Sequence, residues 1–600
     1  MCGILGVFSQ TESLPSLDAI ELLRHRGPDG EGRRIFERCA LAMRRLAIID
    51  LETGDQPVEN ERRDVVAIVN GEIYNYRELR AELASRGHVF RGEGDVEVVP
   101  HLYEELGERC FERLRGMFAV ALWDEAHSRL LLARDRFGIK PLYVAQTADG
   151  VVFGSELRPL LALGVTDELD PQAIADYLAL GYVPTPATGL SHVRALAPGH
   201  VLVDGEERPY WRLDPTAHAP LEETLAEAVR LHLRSDVPLA VLLSGGLDSS
   251  LVAALAADEL EEPLRTFSVG FADAELDERS HARAVADAIG SVHRELVVET
   301  DVADDLPEIA ARLEQPLADV AAIPLWYLCR AVAAEVKVAL AGDGGDEVFG
   351  GYARYVWDPR AARIGRVLPA PLLERVPPLD GGRRSLGRRA TKLLRNAAKP
   401  EAARYLSWFA VVPDDVRADV LLRAAEPPER VYQRLLEDAP PSLTPLGRLQ
   451  YVDVRSFLAD NLLLKADRLS MAHSLELRVP FLDHRVVEAG LCLPDAEKVQ
   501  GVRTKVALRR LVERRFGRAL AERPKQGFDA PIDRWLRGEL RDLVGDAIGE
   551  LGGVVDVGGA RRVLDRHAEG AVGTGQPLYA LLMLSLWRAG LRQPQWTPAT

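Results

Sequence analysis

Between residues 239 and 260 the chain passes from an apolar run, Leu239–Leu243, through Ser244-Gly245-Gly246-Leu247-Asp248-Ser249-Ser250 into a helical stretch, Ser249–Leu260. A strand, a glycine turn and a helix in that order offer backbone amides and a helix N-terminus, a cradle for phosphate. The same alternation continues, with Arg265–Val269, Arg294–Val298 and Val336–Leu340 as strands and Ser280–Ile289 and Leu325–Glu335 as helices. Strands interleaved with helices predict a doubly wound parallel sheet. The spacing GxxxxGK[ST] is absent, so the loop is not a Walker A motif. Beyond residue 350 the pattern is mostly helical.

Six hundred residues exceed one hydrophobic core, and two to four domains are expected. Residues 1–160 carry short apolar or alternating runs at Ile4–Phe8, Leu46–Asp50, Val65–Val69, Phe118–Trp123, Leu130–Ala133 and Val151–Phe153. These read as strands, broken by helices at Tyr76–Ser85 and Glu97–Leu106, which predicts a layered α+β domain. Six prolines between Pro184 and Pro220 mark a boundary, placed near residue 212, giving domains 1–212 and 213–600. A net charge of −17 argues against a general binder of nucleic acid or membrane surfaces, and the expected setting is the cytoplasm. The longest apolar run, Tyr579 to Trp587, is half of the ~18 residues that a membrane span needs. Five cysteines without CxxC spacing suggest neither a disulfide framework nor a structural zinc, and Cys39, Cys110, Cys329 and Cys492 read as buried small hydrophobes. The basic stretch 383–399 reads as a solvated helix face.

Cys2 follows Met1 directly. Removal of Met1 would leave one residue carrying both a thiol and a free α-amine of pKa about 8, able to activate its own nucleophile. Three further segments offer polar groups: Arg45 before Leu46–Asp50, Asn70-Gly71-Glu72 after Val65–Val69, and Asp95 after Gly92 and Gly94. Taken alone, Asn-Gly reads as a hairpin turn and Asp95 as a helix cap.

Together the stretches MCGILGVF, LRHRGPDG, RRLAIID, NGEIYN, GDVEVV, LRGMFAVALWD, RDRFGIKPLY and GSELRPLL resemble the class II glutamine amidotransferases, which are N-terminal-nucleophile hydrolases of αββα sandwich fold. The resemblance implies that the Cys2 thiolate attacks the glutamine carboxamide, releasing ammonia and leaving a glutamyl thioester. It makes the Asn70 amide and the Gly71 N–H the oxyanion hole, and Arg45, Ile48, Glu72 and Asp95 the glutamine pocket. Arg45 would pair with the α-carboxylate and Asp95 with the α-ammonium.

The string SGGLDSS resembles the pyrophosphate loop of the ATP pyrophosphatases. With Ala341-Gly342-Asp343-Gly344-Gly345-Asp346-Glu347, the stretch 467–483, Arg503-Thr504-Lys505 and the stretch 523–528, it resembles the synthetase domain of the glutamine-hydrolysing asparagine synthetases, class B. That resemblance covers nearly the whole chain. It implies nucleotide contacts at Leu243, Ser244, Gly245, Gly246, Asp248, Ser249, Val269, Ala341 and Gly342, and Mg²⁺ on Asp248 and Asp346. Lys505 would stabilise the charge developing on the adenylate and pyrophosphate, and Asp343 would face the acceptor amino acid or the attacking ammonia. The implied partners are glutamine, aspartate and ATP, and a homodimer is compatible with it. Ala341, Asp343, His293-Arg294 and Asp529 depart from the commonest residues there. Arg478 reads either as a carboxylate partner for the acceptor or as a structural ion pair. Three readings stay open: amidation of aspartate, the same chemistry on another carboxylic acid, and a non-catalytic protein on this scaffold. Relatives that close β-lactam or lasso-peptide rings generally lose the cysteine or the glutamine pocket, whereas Cys2, Arg45, Asn70 and Asp95 are present here.

Overall fold

A computed structural model describes residues 2–11, 14–213, 220–271, 279–298, 302–375, 386–523 and 531–592. The N-terminal strands are β1 Cys2–Ser9, β2 Gly30–Ile35, β3 Cys39–Arg45, β4 Val58–Glu59, β5 Val65–Ile73 and β6 Gly116–Asp124. They continue as β7 Arg129–Arg134, β8 Tyr143–Thr147, β9 Gly150–Gly154, β10 Arg194–Ala195, β11 His200–Val203 and β12 Glu206–Pro209. They form two antiparallel sheets, ordered β10-β8-β9-β1-β3-β2 and β12-β11-β7-β6-β5-β4. Alternation along each strand sorts the side chains into layers. Cys2, Ile4, Leu41, Met43, Val66, Ile68, Ala119 and Ala121 fill the space between the sheets. Leu5, Val7, Ala40 and Ala42 face out, against a core that includes helices Leu157–Ala162 and Pro171–Leu180. Val65, Ala67 and Val69 face helices Tyr76–Ser85 and Val98–Leu106 on the other side. This is the expected αββα sandwich.

Three local expectations are corrected. Leu46–Asp50 is not a strand, because the chain leaves the sheet at Arg45. Its apolar residues are buried without pairing, and the Asp50 carboxylate instead accepts the N–H groups of Thr53 at 2.8 Å and Glu93 at 2.7 Å, the chemistry of a turn. Asn70-Gly71 is not a hairpin turn but lies inside β5, opposite Ala119 and Phe118 of β6. Asp95 does not cap a helix, since the helix begins at Val98 behind Glu97.

The second sheet system is parallel, ordered β15-β14-β13-β16-β17, with β13 Leu239–Leu242, β14 Arg265–Phe271, β15 Val292–Val298, β16 Val338–Leu340 and β17 Glu476–Arg478. Sequence order reverses between β13 and β16. A crevice opens at such a switch point, beyond the carboxyl ends of the strands. The loops after β13 and β16 meet there: a Cβ on Gly342 would lie 2.9 Å from the Ser249 nitrogen, and one on Gly345 would lie 2.6 Å from Asp248 Cγ. Beyond residue 350 the described chain is helical except for β17, a three-residue strand between charged side chains that gives no periodic signal. A π-helical stretch, Val454–Leu463, leads into helix Leu464–Met471 and brings Leu462 and Lys465 to the crevice. No helix among the described residues is long and apolar enough to cross a membrane. Cys39, Cys110 and Cys329 are buried and Cys492 is half-buried, none in a disulfide. Of the basic stretch, residues 383–385 lie outside the described residues, and helix Leu386–Ala397 turns Leu393 and Leu394 onto Ala361 and Leu373.

Candidate active site

Two sites stand on opposite sides of a buried charged seam. In the first, Cys2 opens β1 opposite Arg45 of β3 and is buried between the sheets. Burial pushes its thiol above the ordinary value. The Cys2 backbone N–H donates to Asn70 Oδ1 at 3.1 Å. Asn70 Nδ2 is thereby left buried without a hydrogen-bond partner, a donor ready for an oxygen that gains negative charge. Gly71 has φ +153°, and a side chain there would run into the Met117 carbonyl of β6. Sequence reasoning missed Gln56, whose Nε2 lies 3.9 Å from Cys2 Sγ. Gln56 is clamped by accepting the Val69 N–H at 2.7 Å and donating to the Val69 carbonyl at 3.1 Å. No periodicity or motif marks it.

Arg45 is tied to Asp55 at 2.9 Å and to the Ile49 carbonyl at 3.3 Å. Asp55 itself is exposed, so a substrate carboxylate can share that guanidinium. Ile48 is buried beside this turn. Asp95 accepts the Ile73 N–H at 2.7 Å. Burial raises its carboxyl to about 6, with the Ile73 bond opposing and nearby Glu476 adding to the rise. Glu72 turns toward the second domain and pairs with Arg478 at 3.4 Å. Burial and the charge of Glu476 push its carboxyl well above the usual range.

The second site is a cavity of about 340 Å³ at the switch point. Leu243, Ser244, Gly246, Asp248 and Ser249 line it from the first loop, Val269 from β14, and Ala341, Gly342, Asp343 and Asp346 from the second loop. Lys505 enters from a third segment, with φ 52° at the start of helix Val506–Phe516, a left-handed conformation uncommon for a side-chain-bearing residue. Gly245 does not line the cavity. At φ +69° it turns away, and a Cβ there would lie 2.7 Å from the Ala282 nitrogen. The Lys505 ammonium bridges Asp248 and Asp346, 2.7 Å from the latter. Burial works against its charge, yet the two carboxylates hold it above the usual lysine range. Two carboxylates converging on one cation inside a cavity form an oxygen donor set of the kind that Mg²⁺ takes, alongside phosphate oxygens. Burial raises the Asp343 carboxyl, with Lys465 opposing. Lys465, itself paired with Asp319, lines the cavity and was not foreseen. Tyr352 also lines it, its hydroxyl donating to Glu347. Of the departures noted above, His293 accepts or donates to Thr266 and Ser268 at 2.9 and 3.0 Å, and Asp529 lies outside the described residues, as do 524–528.

Arg478 sits in this seam. Fully buried, it pairs with Glu476 at 2.5 Å and donates to the carbonyls of His232 at 2.8 Å and Arg234 at 2.6 Å. It does not line the cavity, and it also reaches Glu72 at 3.4 Å, contacts that favour the structural ion pair. Arg26 holds Asp467 at 2.9 Å and Arg468 holds Glu156 at 3.2 Å across the same seam.

Residues 220–589 match the family model described as asparagine synthase, and residues 1–211 match that described as a glutamine amidotransferase domain. Asparagine synthetase (glutamine-hydrolyzing) 1 of Bacillus subtilis (strain 168) is 33% identical over 98% of this chain and 96% of its own. A putative asparagine synthetase (glutamine-hydrolyzing) of Mycobacterium tuberculosis (strain ATCC 25618 / H37Rv) is 36% identical over 98% of this chain and 97% of its own. Among solved structures, glutamine phosphoribosylpyrophosphate amidotransferase from B. subtilis matches at 15% identity over 50% of this chain and 82% of its own, with a TM-score of 0.28.

Proposed function

The chain belongs to the asparagine synthase family, and from that premise we propose how its residues divide the work. The enzyme is a glutamine-hydrolysing asparagine synthetase: an ATP-dependent ligase that takes nitrogen from glutamine and amidates aspartate. In our reading Cys2, freed of Met1, uses its own α-amine to deprotonate a thiol that burial has made reluctant to ionise. The thiolate attacks the glutamine carboxamide, and Asn70 Nδ2 and the Gly71 N–H receive the oxyanion. Arg45 and Asp95 take the two charges of the amino acid, which suits a zwitterion. Hydrolysis of the thioester returns the cysteine.

At the switch point the amides of Ser244 and of Gly246 to Ser249 hold the phosphates of ATP, with Val269 and Leu243 against the nucleoside. The aspartate side-chain carboxylate attacks the α-phosphorus, pyrophosphate leaves, and Lys505 balances the charge that develops. Asp248 and Asp346 would hold Mg²⁺, which supplies charge neutralisation to the phosphates. Asp343 orients the acceptor, and ammonia displaces AMP to give asparagine. Water would destroy the adenylate and protonation would disable the ammonia, so we place an internal passage between the sites, along the seam.

The observation that carries this reading is the bridge from Lys505 to Asp248 and Asp346 at the mouth of the SGGLDSS loop. It is tested by aspartate-dependent AMP formation with ammonia supplied directly. AMP and pyrophosphate should form in equal amounts; ADP and orthophosphate would exclude the assignment, and turnover only with a different carboxylic acid would replace the acceptor.

A further inference from the structure

On the outer side of the glutaminase domain four side chains from three segments converge. Glu61 lies in the turn between β4 and β5, His88 in the loop after helix Tyr76–Ser85, and His101 and Glu104 one turn apart on helix Val98–Leu106. One ligating atom from each lies within 4.8 Å of all the others. We propose that Glu61, His88, His101 and Glu104 form a binding site for a zinc-class divalent transition-metal ion, separate from both active sites.

The spacing supports it. A tetrahedral ion with bonds of about 2.0–2.2 Å sets its ligand atoms about 3.3–3.6 Å apart. His88 Nδ1 and His101 Nδ1 face each other at 3.2 Å. The Glu61 carboxylate reaches His88 Nδ1 at 3.2 Å and His101 Nδ1 at 3.3 Å. Glu104 Oε2 lies 3.8 and 4.0 Å from the two ring nitrogens, a small side-chain rotation away. That oxygen is buried without a hydrogen-bond partner, whereas its sister oxygen is held by Arg62 at 2.8 Å.

Two ring nitrogens aimed at each other cannot both carry hydrogens, so at least one presents a lone pair inward. The His101 ring is buried with its Nδ1 turned into the cluster. His88 has the outer contact that metal-bound histidines usually have: its Nε2 lies 3.2 Å from Glu105 Oε1, fixing the ring with Nδ1 inward. The two carboxylates bring negative charge that a divalent ion would balance. Mixed nitrogen and oxygen donors favour zinc-class ions over Mg²⁺ or Ca²⁺. The ion would tie the β4–β5 turn to the helix, and so brace the loop that runs from His88 to Asp95 into the glutamine pocket.

The test uses the full-length protein carrying Cys2→Ala, so that no catalytic thiol competes. After loading with Co(II) or Zn(II) and gel filtration, one equivalent should be retained, with the visible spectrum of tetrahedral Co(II). His88→Gln, which keeps a polar side chain of similar size in a half-buried place, should lose the retained ion and the spectrum, and Glu105→Gln should weaken affinity about 10–100-fold. Asp346→Asn should retain the ion. Absence of retained metal in the parent, a spectrum unchanged in His88→Gln, or loss of the ion in Asp346→Asn would each overturn the proposal.

Discussion

Asn70 is the residue on which the glutaminase geometry turns. One side-chain oxygen fixes the Cys2 amide at 3.1 Å, and that contact decides where the amide nitrogen points. Asn70→Ala should therefore lower the glutaminase kcat about 10²–10³-fold, as removal of an oxyanion donor does, while ammonia-dependent synthesis keeps its rate. An equal loss in both assays would mean a folding defect instead. Asp95 sets a pH limit. Its carboxyl is raised to about 6, so it is charged above that pH and loses its charge as pH falls through it. The kcat/KM for glutamine should drop below about pH 6 while the ammonia-dependent reaction does not, and a glutamine profile flat to pH 5 would remove Asp95 from recognition of the α-ammonium. At this scale the sequence carried much of the site. Cys2, Asn70, Gly71, Asp248, Asp346 and Lys505 stand in contiguous motifs. Gln56 and Lys465 stand in none, because each reaches its site through a tertiary contact, Gln56 from a turn and Lys465 from the start of the helix behind the π-helical stretch, that no local pattern marks.

Among the elements, those with a strong local signal were legible and those held by partners were not. Helix Tyr76–Ser85 and the strand–loop–helix at β13 follow directly from periodicity. Leu46–Asp50 has the composition of a strand but no neighbouring strand to pair with, and turn chemistry at Asp50 prevails. The strand β17 is the opposite case: three residues with charged ends, buried because Arg478 and Glu476 satisfy each other and the seam. The turn before the helix Leu247–Glu259 has no room for a side chain at Gly245. Gly245→Ala would force a side chain into φ +69° and to within 2.7 Å of the Ala282 nitrogen, backbone that cannot yield. With strain of about 1–3 kcal/mol in the phosphate loop, AMP formation should fall about ten- to hundred-fold while glutaminase activity persists. Wild-type AMP formation in that variant would show that the loop does not hold the phosphates.

At the scale of the whole molecule, buried ion pairs join the two halves. Such pairs contribute little net stability when intact, yet losing one partner costs about 3–5 kcal/mol because the other charge stays buried. Arg478→Met would leave Glu72 and Glu476 facing each other without their cation, so the thermal midpoint should fall. The KM for aspartate in the ammonia-driven reaction should hold; a raised KM at an unchanged midpoint would place Arg478 in the acceptor site after all. The seam also gives the central claim its meaning: one chain releases ammonia on one side and consumes it on the other. The most direct measurement supplies glutamine labelled with ¹⁵N in its amide, together with aspartate, ATP and unlabelled ammonium in the medium. The account predicts ¹⁵N in the asparagine side chain far above its share of the ammonia pool, with one AMP formed per asparagine. Label diluted to the level of the medium, or hydrolysis of glutamine without labelled asparagine, would contradict it.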